Sequence, residues 1–307
     1  MKIKELIIGL TILLCGCKSP ESYLNEAIDI MEKNSVKKNS IDWIAFREDV
    51  LEKGRNAKSI KDTYPIIEYA LQKLGDNHSS FGSAKKIKVD KKNNSTIPKA
   101  SSRQINDSVG YIKIPNFVAY TLESIDEFAI QIQNEIIELD KFEISYLIVD
   151  LGENTGGNMW PMLLGLNPIL STGTLGYFVD ADNNFTEWKH INGALYLGIE
   201  KMIELKEPYT LKNNLKKIAV ITSRRTTSSG EAVLVALKGE KNVVTIGEET
   251  YGLSTCNSGF KLSDNSYINL TTSIFADRKK IMYGKKIYPD YYVDYSFAVE
   301  KSIELFK

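Results

Sequence analysis

Three short segments hold the side chains that could do chemistry. The first is Thr226-Thr-Ser-Ser-Gly-Glu231, between the apolar run Lys217 to Thr222 (KIAVIT) and a stretch patterned as a helix over about 229–238. A serine at a strand-to-helix turn sits at the positive end of the helix dipole, among backbone N–H groups with no intrahelical partner. Ser228 there suits a nucleophile whose tetrahedral intermediate carries an oxyanion. The same residues also spell a capping box, with Ser228 as N-cap and Glu231 at N3, so the segment alone leaves both roles open. The second segment is Leu74-Gly-Asp-Asn-His78-Ser-Ser-Phe81. His78 follows a helix end, amid small polar residues, and an imidazole titrates where a general base must. A histidine so placed can equally bond the last helical carbonyls. The third is Asp150-Leu-Gly-Glu-Asn-Thr-Gly-Gly-Asn158, directly after a buried run. Paired glycines let the backbone approach a ligand closely, so N–H groups of Asn154, Gly156 and Gly157 could face an oxyanion. A tight strand-to-helix turn needs the same glycines.

What is scarce narrows the chemistry further. The chain has two histidines, His78 and His190, and three cysteines, Cys15, Cys17 and Cys256. So few soft ligands exclude a multi-Cys/His zinc site, and no cofactor fingerprint occurs: G-x-G-x-x-G and the Walker sequence are both missing. His190, in Trp188-Lys-His-Ile191, lies on an alternating strand and reads as a surface or packing residue. Lys+Arg and Asp+Glu are both 39 in 307 residues, so no global basic field collects nucleic acid or coats an anionic membrane. Hydrophobic residues at 43% and charged residues at 25% fit a globular chain with a sizeable core.

The chain opens with an export signal. Lys2 and Lys4 precede a nine-residue apolar run, Leu6 to Leu14 (LIIGLTILL). A membrane-spanning helix needs about twenty residues, whereas this length fits the apolar region of a secretory signal. The run ends Leu14-Cys15-Gly16-Cys17, which resembles a bacterial lipobox and implies cleavage before Cys17, a lipid on its thiol and attachment to the cell envelope. Cys256 would then be the sole free thiol, and the exported protein would hold no intrachain disulfide.

The surrounding elements must position these segments. Residues 23–75 read as helices, with apolar spacing through Leu24, Ile28 and Met31, then Trp43, Phe46 and Val50, then Ile67, Ala70 and Leu74. Residues 82–106 are polar and lysine-rich and read as a solvated loop. Strands are expected over Val109 to Ile114, 144–151, 173–179, 184–195, 217–222 and 242–246, with helices over 122–139, 159–166 and 229–238. Residues 259–275 alternate as a hairpin around Asp264-Asn265. Strands alternating with helices argue an α/β fold with parallel pairs. The expected organisation is a signal at 1–17, a helical segment with the lysine-rich loop at 18–98, and a core at 99–307.

Taken together, Leu74 to Phe81 (LGDNHSSF), Val109 to Phe117 (VGYIKIPNF), Leu147 to Asn158 (LIVDLGENTGGN), Thr222 to Asn257 and Tyr283-Gly-Lys-Lys-Ile-Tyr-Pro-Asp290 resemble the tail-specific (C-terminal processing) serine peptidases. They look closest to the tricorn-like and retinoid-binding-protein-like branch. The resemblance covers about residues 66–290 and implies a crotonase-like α/β core. It makes Ser228 the nucleophile and His78 the base, with Ser79 a polar supporter. Backbone N–H groups of Ser229 and of Gly156 or Gly157 become the oxyanion donors. The chain departs from the pattern in three places. Leu253 stands where the serine–lysine branch has its lysine, so the base falls back on His78. Tyr283 stands where tricorn-like members place a glutamate, which makes Asp277 the substitute acid and Glu248 another. Only about twenty-five lysine-rich residues separate the helical segment from the core, far fewer than the roughly eighty a PDZ domain would need.

Three functions compete. The first is a lipid-anchored serine endopeptidase acting on exported polypeptides, without cofactor or metal. The second is a peptide- or lipid-binding module on the same fold, a reading that Tyr283 supports. The third, a crotonase-type acyl-CoA enzyme, conflicts with export, since CoA is cytosolic.

Overall fold

The structure, a computed structural model, describes residues 18–85, 97–118 and 121–307. The expected signal, Cys17 and residues 86–96 of the lysine-rich stretch lie outside them. Among the described residues no helix is long and apolar enough to cross a membrane.

The N-terminal segment forms three helices. α1 (Pro20–Asn34) starts where Ser19 accepts from the Ser22 N–H and proline occupies the first turn, as helix starts favour. α2 (Trp43–Gly54) is capped by Asp42, which accepts from the N–H groups of Ile44 and Ala45. α3 (Tyr64–Leu74) ends at Gly75, whose φ of 71° is the left-handed conformation that stops a helix. The apolar faces of all three pack on Leu262, Ile268 and Leu270 of a distant hairpin. These helices therefore have no core separate from the rest of the molecule. After α3, β1 (Ser80–Gly82) pairs antiparallel with that hairpin.

The remainder is built on two sheets. One contains β2 (Ser101–Asn106), β3 (Val109–Lys113), β4 (Tyr146–Asp150), β9 (Lys217–Thr222), β10 (Val243–Gly247) and β13 (Tyr291–Tyr292). Its order is β13-β10-β9-β4-β3-β2, all parallel except β2 against β3. The other is antiparallel, in the order β1-β12-β5-β6-β7-β8 with β11 on β12. It comprises β5 (Gly173–Asp180), β6 (Phe185–Ile191), β7 (Ala194–Leu197), β8 (Glu200–Glu204) and the hairpin of β11 (Thr255–Lys261) and β12 (Tyr267–Asp277). Three helices, α4 (Leu122–Asp140), α5 (Met159–Gly165) and α6 (Ser229–Lys238), fill the main core, together with residues of both sheets such as Val149, Val220, Leu175 and Phe275. α7 (Ala298–Phe306) covers the opposite face of the parallel sheet through Ala298 and Phe306. The fold is mixed α/β.

Several elements depart from the expected pattern, the short strands β1 and β13 among them. β2 lies inside the stretch read as a loop, because it is a polar edge strand with only one sheet neighbour. β8 closes the far edge of the antiparallel sheet and is exposed at four of its five residues. α7 was not anticipated.

Candidate active site

β9 delivers its chain into the turn Ser223–Thr227, and α6 begins immediately after Ser228. Ser228 itself has φ 54° and ψ −115°. A non-glycine residue seldom adopts a positive φ, and such strain holds only where surrounding bonds enforce it. Here they do. The Glu231 carboxylate accepts from the Ser228 N–H at 2.9 Å, from Thr250 Oγ1 at 2.5 Å and from the Gly252 N–H at 3.2 Å. Thr226 Oγ1 donates to Leu151 O, and the Thr227 N–H to Asn154 O. The nucleophile and capping-box readings of Ser228 therefore meet in one place, since the N3 glutamate that caps the turn also fixes its strained geometry.

The glycine loop packs directly on this turn. Gly156 has φ 101°, and a Cβ there would lie 2.9 Å from Ser228 Cβ. Gly157 has φ 113° and pairs with Phe117, so a Cβ there would meet the Phe117 carbonyl oxygen at 1.9 Å. Their N–H groups differ. Gly156 donates to Asn154 Oδ1 at 2.9 Å, and the Asn154 N–H is bonded to Leu151 O. The expected oxyanion role is thus closed to both groups, and buried Asn154 instead ties the loop to Ile114 and Pro115. The N–H groups of Gly157 and Ser229 have no partner among the described residues. Ser229 Oγ donates to Gly157 O at 2.6 Å, which fixes that peptide.

His78 comes from the other side. Past α3, the Asp76 carboxylate accepts from the His78 and Ser79 N–H groups and from Ser79 Oγ, a turn that local side chains commonly build. Ser79 Oγ also accepts from the Thr271 N–H on β12, so Ser79 anchors the loop and does not touch the ring. The ring is held by Thr255, at the start of β11: His78 Nδ1 lies 2.7 Å from Thr255 Oγ1. Asn257 Nδ2 donates to His78 O at 2.9 Å. No hydrogen bond joins His78 to Ser228 Oγ. Burial pushes the His78 pKa below the usual histidine value, against a smaller opposing pull from Asp76, so the ring is neutral at neutral pH.

The expected acids are elsewhere. Asp277 is buried and accepts from the N–H groups of Lys279 and Ile281 in its own turn and from Tyr283 Oη at 3.2 Å. It makes no hydrogen bond to His78, so the expected Asp277–His78 pairing is not formed. Glu248 faces Arg224 at 3.5 Å. The residue that does hold the ring, Thr255, was not foreseen, because a hydroxyl at a strand start has no motif to mark it. His190 is buried, with Nε2 accepting from the Gly193 N–H and Nδ1 3.4 Å from Ser171 O. It is a packing residue, as its strand position implied.

A cleft of about 510 Å³ opens beside the Thr255 end of this arrangement, between Asp76 and Asn77 on one side and Tyr251 to Leu253 on the other. A larger groove of about 910 Å³ runs between α4 and β8, away from Ser228 and His78. The smaller cleft is lined by Thr255 and Asp76 but not by Ser228 or His78. Among the described residues no group of three His, Cys, Asp or Glu could hold a metal ion.

Residues 108–293 match the model of peptidase family S41, and the chain belongs to that family. It is 28% identical to the Nisin-resistance protein of Lactococcus lactis subsp. lactis over 86% of this chain and 80% of that one. It is 29% identical to the carboxy-terminal processing protease CtpB of Bacillus subtilis (strain 168), over 56% of this chain but only 31% of that protein. Among solved structures, a lipoprotein from Streptococcus agalactiae superposes with a TM-score of 0.80 at 29% identity, covering 94% of this chain and 96% of that one. The photosystem II D1 C-terminal processing protease shares the fold, with a TM-score of 0.67 at 15% identity over 91% of this chain and 94% of that one.

Proposed function

We propose that the protein is a serine-type endopeptidase of exported polypeptides, with Ser228 as nucleophile and His78 as general base on a crotonase-like core. The observation that carries this reading is the strained Ser228 turn, beside two backbone N–H groups that have no partner among the described residues. His78 Nε2 takes the Ser228 proton as Oγ bonds to the peptide carbonyl carbon. The oxyanion forms between the Ser229 and Gly157 N–H groups, where preorganised donors act most strongly. Collapse expels the amine, which receives the proton from His78, and water then hydrolyses the acyl-enzyme. The hydrogen bond between Ser228 and His78 closes as substrate seats, since such bonds are often open in the free enzyme.

Gly156, Ser79 and Asp277 take supporting roles: Gly156 gives Ser228 room, Ser79 anchors the base loop and Asp277 shapes the turn next to Tyr283. Export and a lipid on Cys17 complete the reading and place the enzyme on the outer side of the membrane, in keeping with its likeness to a solved lipoprotein. The name of the Lactococcus relative makes nisin the first substrate to try.

A serine-reactive fluorophosphonate is expected to label the wild type at Ser228. Ser228→Ala and His78→Ala are each expected to abolish hydrolysis of nisin or of an unfolded protein. A second reading, a binding module on the same fold, rests on Tyr283 and on the open Ser228–His78 gap. No labelling and no hydrolysis, together with saturable peptide or lipid binding, decides for that module.

A further inference from the structure

We propose that Thr255 is the positioning residue of the catalytic base: its hydroxyl accepts from His78 Nδ1–H and so leaves Nε2 as the nitrogen that takes the Ser228 proton. The proposal rests on His78 being the base. The contact is 2.7 Å long, and Thr255 is buried at the edge of the cleft while His78 is half-buried. Three carboxylates considered for this place are committed elsewhere. Asp76 bonds the backbone of His78 and the Ser79 side chain, Asp277 bonds its own turn and Tyr283, and Glu248 faces Arg224.

The location of Thr255 gives the contact its purpose. It stands three residues after Gly252, whose N–H donates to the same Glu231 carboxylate that fixes the Ser228 backbone. Base and nucleophile are thus registered against each other through one short segment, Thr250 to Thr255. Beyond Thr255 the β11–β12 register shifts between Cys256 and Asn257, and Asn257 then holds the His78 carbonyl. Such irregularities re-aim side chains next to sites. The ring and the backbone of His78 are therefore both held by β11.

A neutral imidazole has one donor and one acceptor nitrogen, and the partner of one nitrogen fixes the role of the other. With Nδ1–H on Thr255, the Nε2 lone pair is open. It takes the Ser228 proton as Oγ attacks and returns it to the leaving amine, while Nδ1–H stays on Thr255 throughout. A hydroxyl sets tautomer and orientation without the negative charge that would stabilise the imidazolium.

The test compares Thr255→Val, which keeps the shape and removes the hydroxyl, with Thr255→Ser, which restores it. In the valine variant kcat is expected to fall about 10- to 100-fold, no more than the low end of general-base contributions because His78 itself is retained, with KM unchanged. The serine variant is expected to recover most of the loss, which a merely structural role for the threonine would not require. Nitrogen-15 NMR of labelled histidine gives a readout independent of turnover, since the chain has two histidines and His78→Gln assigns the signals. Wild-type His78 is expected as the Nδ1–H tautomer, and Thr255→Val is expected to move it toward Nε2–H. Nε2–H in the wild type, or a valine variant with wild-type kcat, overturns the proposal. If the wild type hydrolyses no peptide, the peptidase reading fails on its own account and the tautomer still decides the Thr255 contact.

Discussion

Glu231 is the titratable group that touches the Ser228 backbone, and its environment makes it sensitive to pH. It is fully buried, and burial pushes its pKa up to about 7, against opposing hydrogen bonds from Thr250 and from the N–H groups of Ser228, Gly252 and Leu253. A carboxyl with a raised folded pKa holds its proton in the folded state where the unfolded chain has lost it. Its stabilising contribution is therefore complete below about 4.5 and is lost as pH rises through about 7. The shift corresponds to on the order of 3 kcal/mol. Urea unfolding of the wild type and Glu231→Gln between these limits is expected to show the wild type losing more stability by about that amount. Parallel curves would mean that the carboxyl titrates normally. Not every such residue is legible in sequence. Ser228, His78 and the glycine pair stand out because their chemistry demands particular types at element ends. Asp277 is the nearest acid upstream of Tyr283 and does bond it, yet nearness in the chain does not bring it into hydrogen-bond contact with His78.

At the scale of elements, the site depends on close approach between the glycine loop and its neighbours. Gly157 is held by the bridge to Phe117, with the Asn158 N–H donating to Phe117 O at 2.7 Å and the Phe117 N–H to Gly156 O at 3.1 Å. Alanine at 157 meets both a positive φ and the Phe117 carbonyl. Alanine at Gly173, with φ 117° and nothing within 4 Å of an added Cβ, meets the backbone strain alone. Gly173→Ala is thus expected to cost about 1–2 kcal/mol. Gly157→Ala is expected to cost about 2–4 kcal/mol and to lose peptidase activity. Thermal unfolding of the two variants checks this, and equal losses would show that the bridge is not the constraint. The elements that carry this loop, β4, β9 and α6, were readable because strands buried on both faces are continuous apolar runs and a buried helix keeps its period. β2 and β8 were not, because an edge strand can be polar and still pair. The nine residues of α7 span too few turns for their period to stand out.

At the scale of the whole molecule, the question is whether the helical segment that carries His78 is a fixed wall or a moving lid. Sequence could not decide this, because residues 23–75 look like a separable bundle until their apolar faces are seen on the hairpin. There Tyr23 Oη and Tyr64 Oη both donate to Asp264, at 2.7 Å each, and Leu262, Ile268 and Leu270 complete the helical core. The hairpin in turn runs into the antiparallel sheet through Ser273 to Asp277 on β5. One continuous strand, β12, therefore carries both the helical segment and the core, and a fixed wall is expected. A cross-link tests it. Ser80 and Asn269 are direct partners between β1 and β12, and both are exposed. Directly paired residues in antiparallel strands have Cα atoms about 4.5–5.5 Å apart, within reach of a disulfide. Cys256, the one cysteine among the described residues, has its thiol pushed up to about 11 by burial and does not compete. The Ser80→Cys, Asn269→Cys protein, once oxidised, is expected to keep its turnover and to melt at a higher temperature than the reduced form. Loss of activity on oxidation, reversed by a reductant, would show instead that His78 must travel with its helices during each cycle.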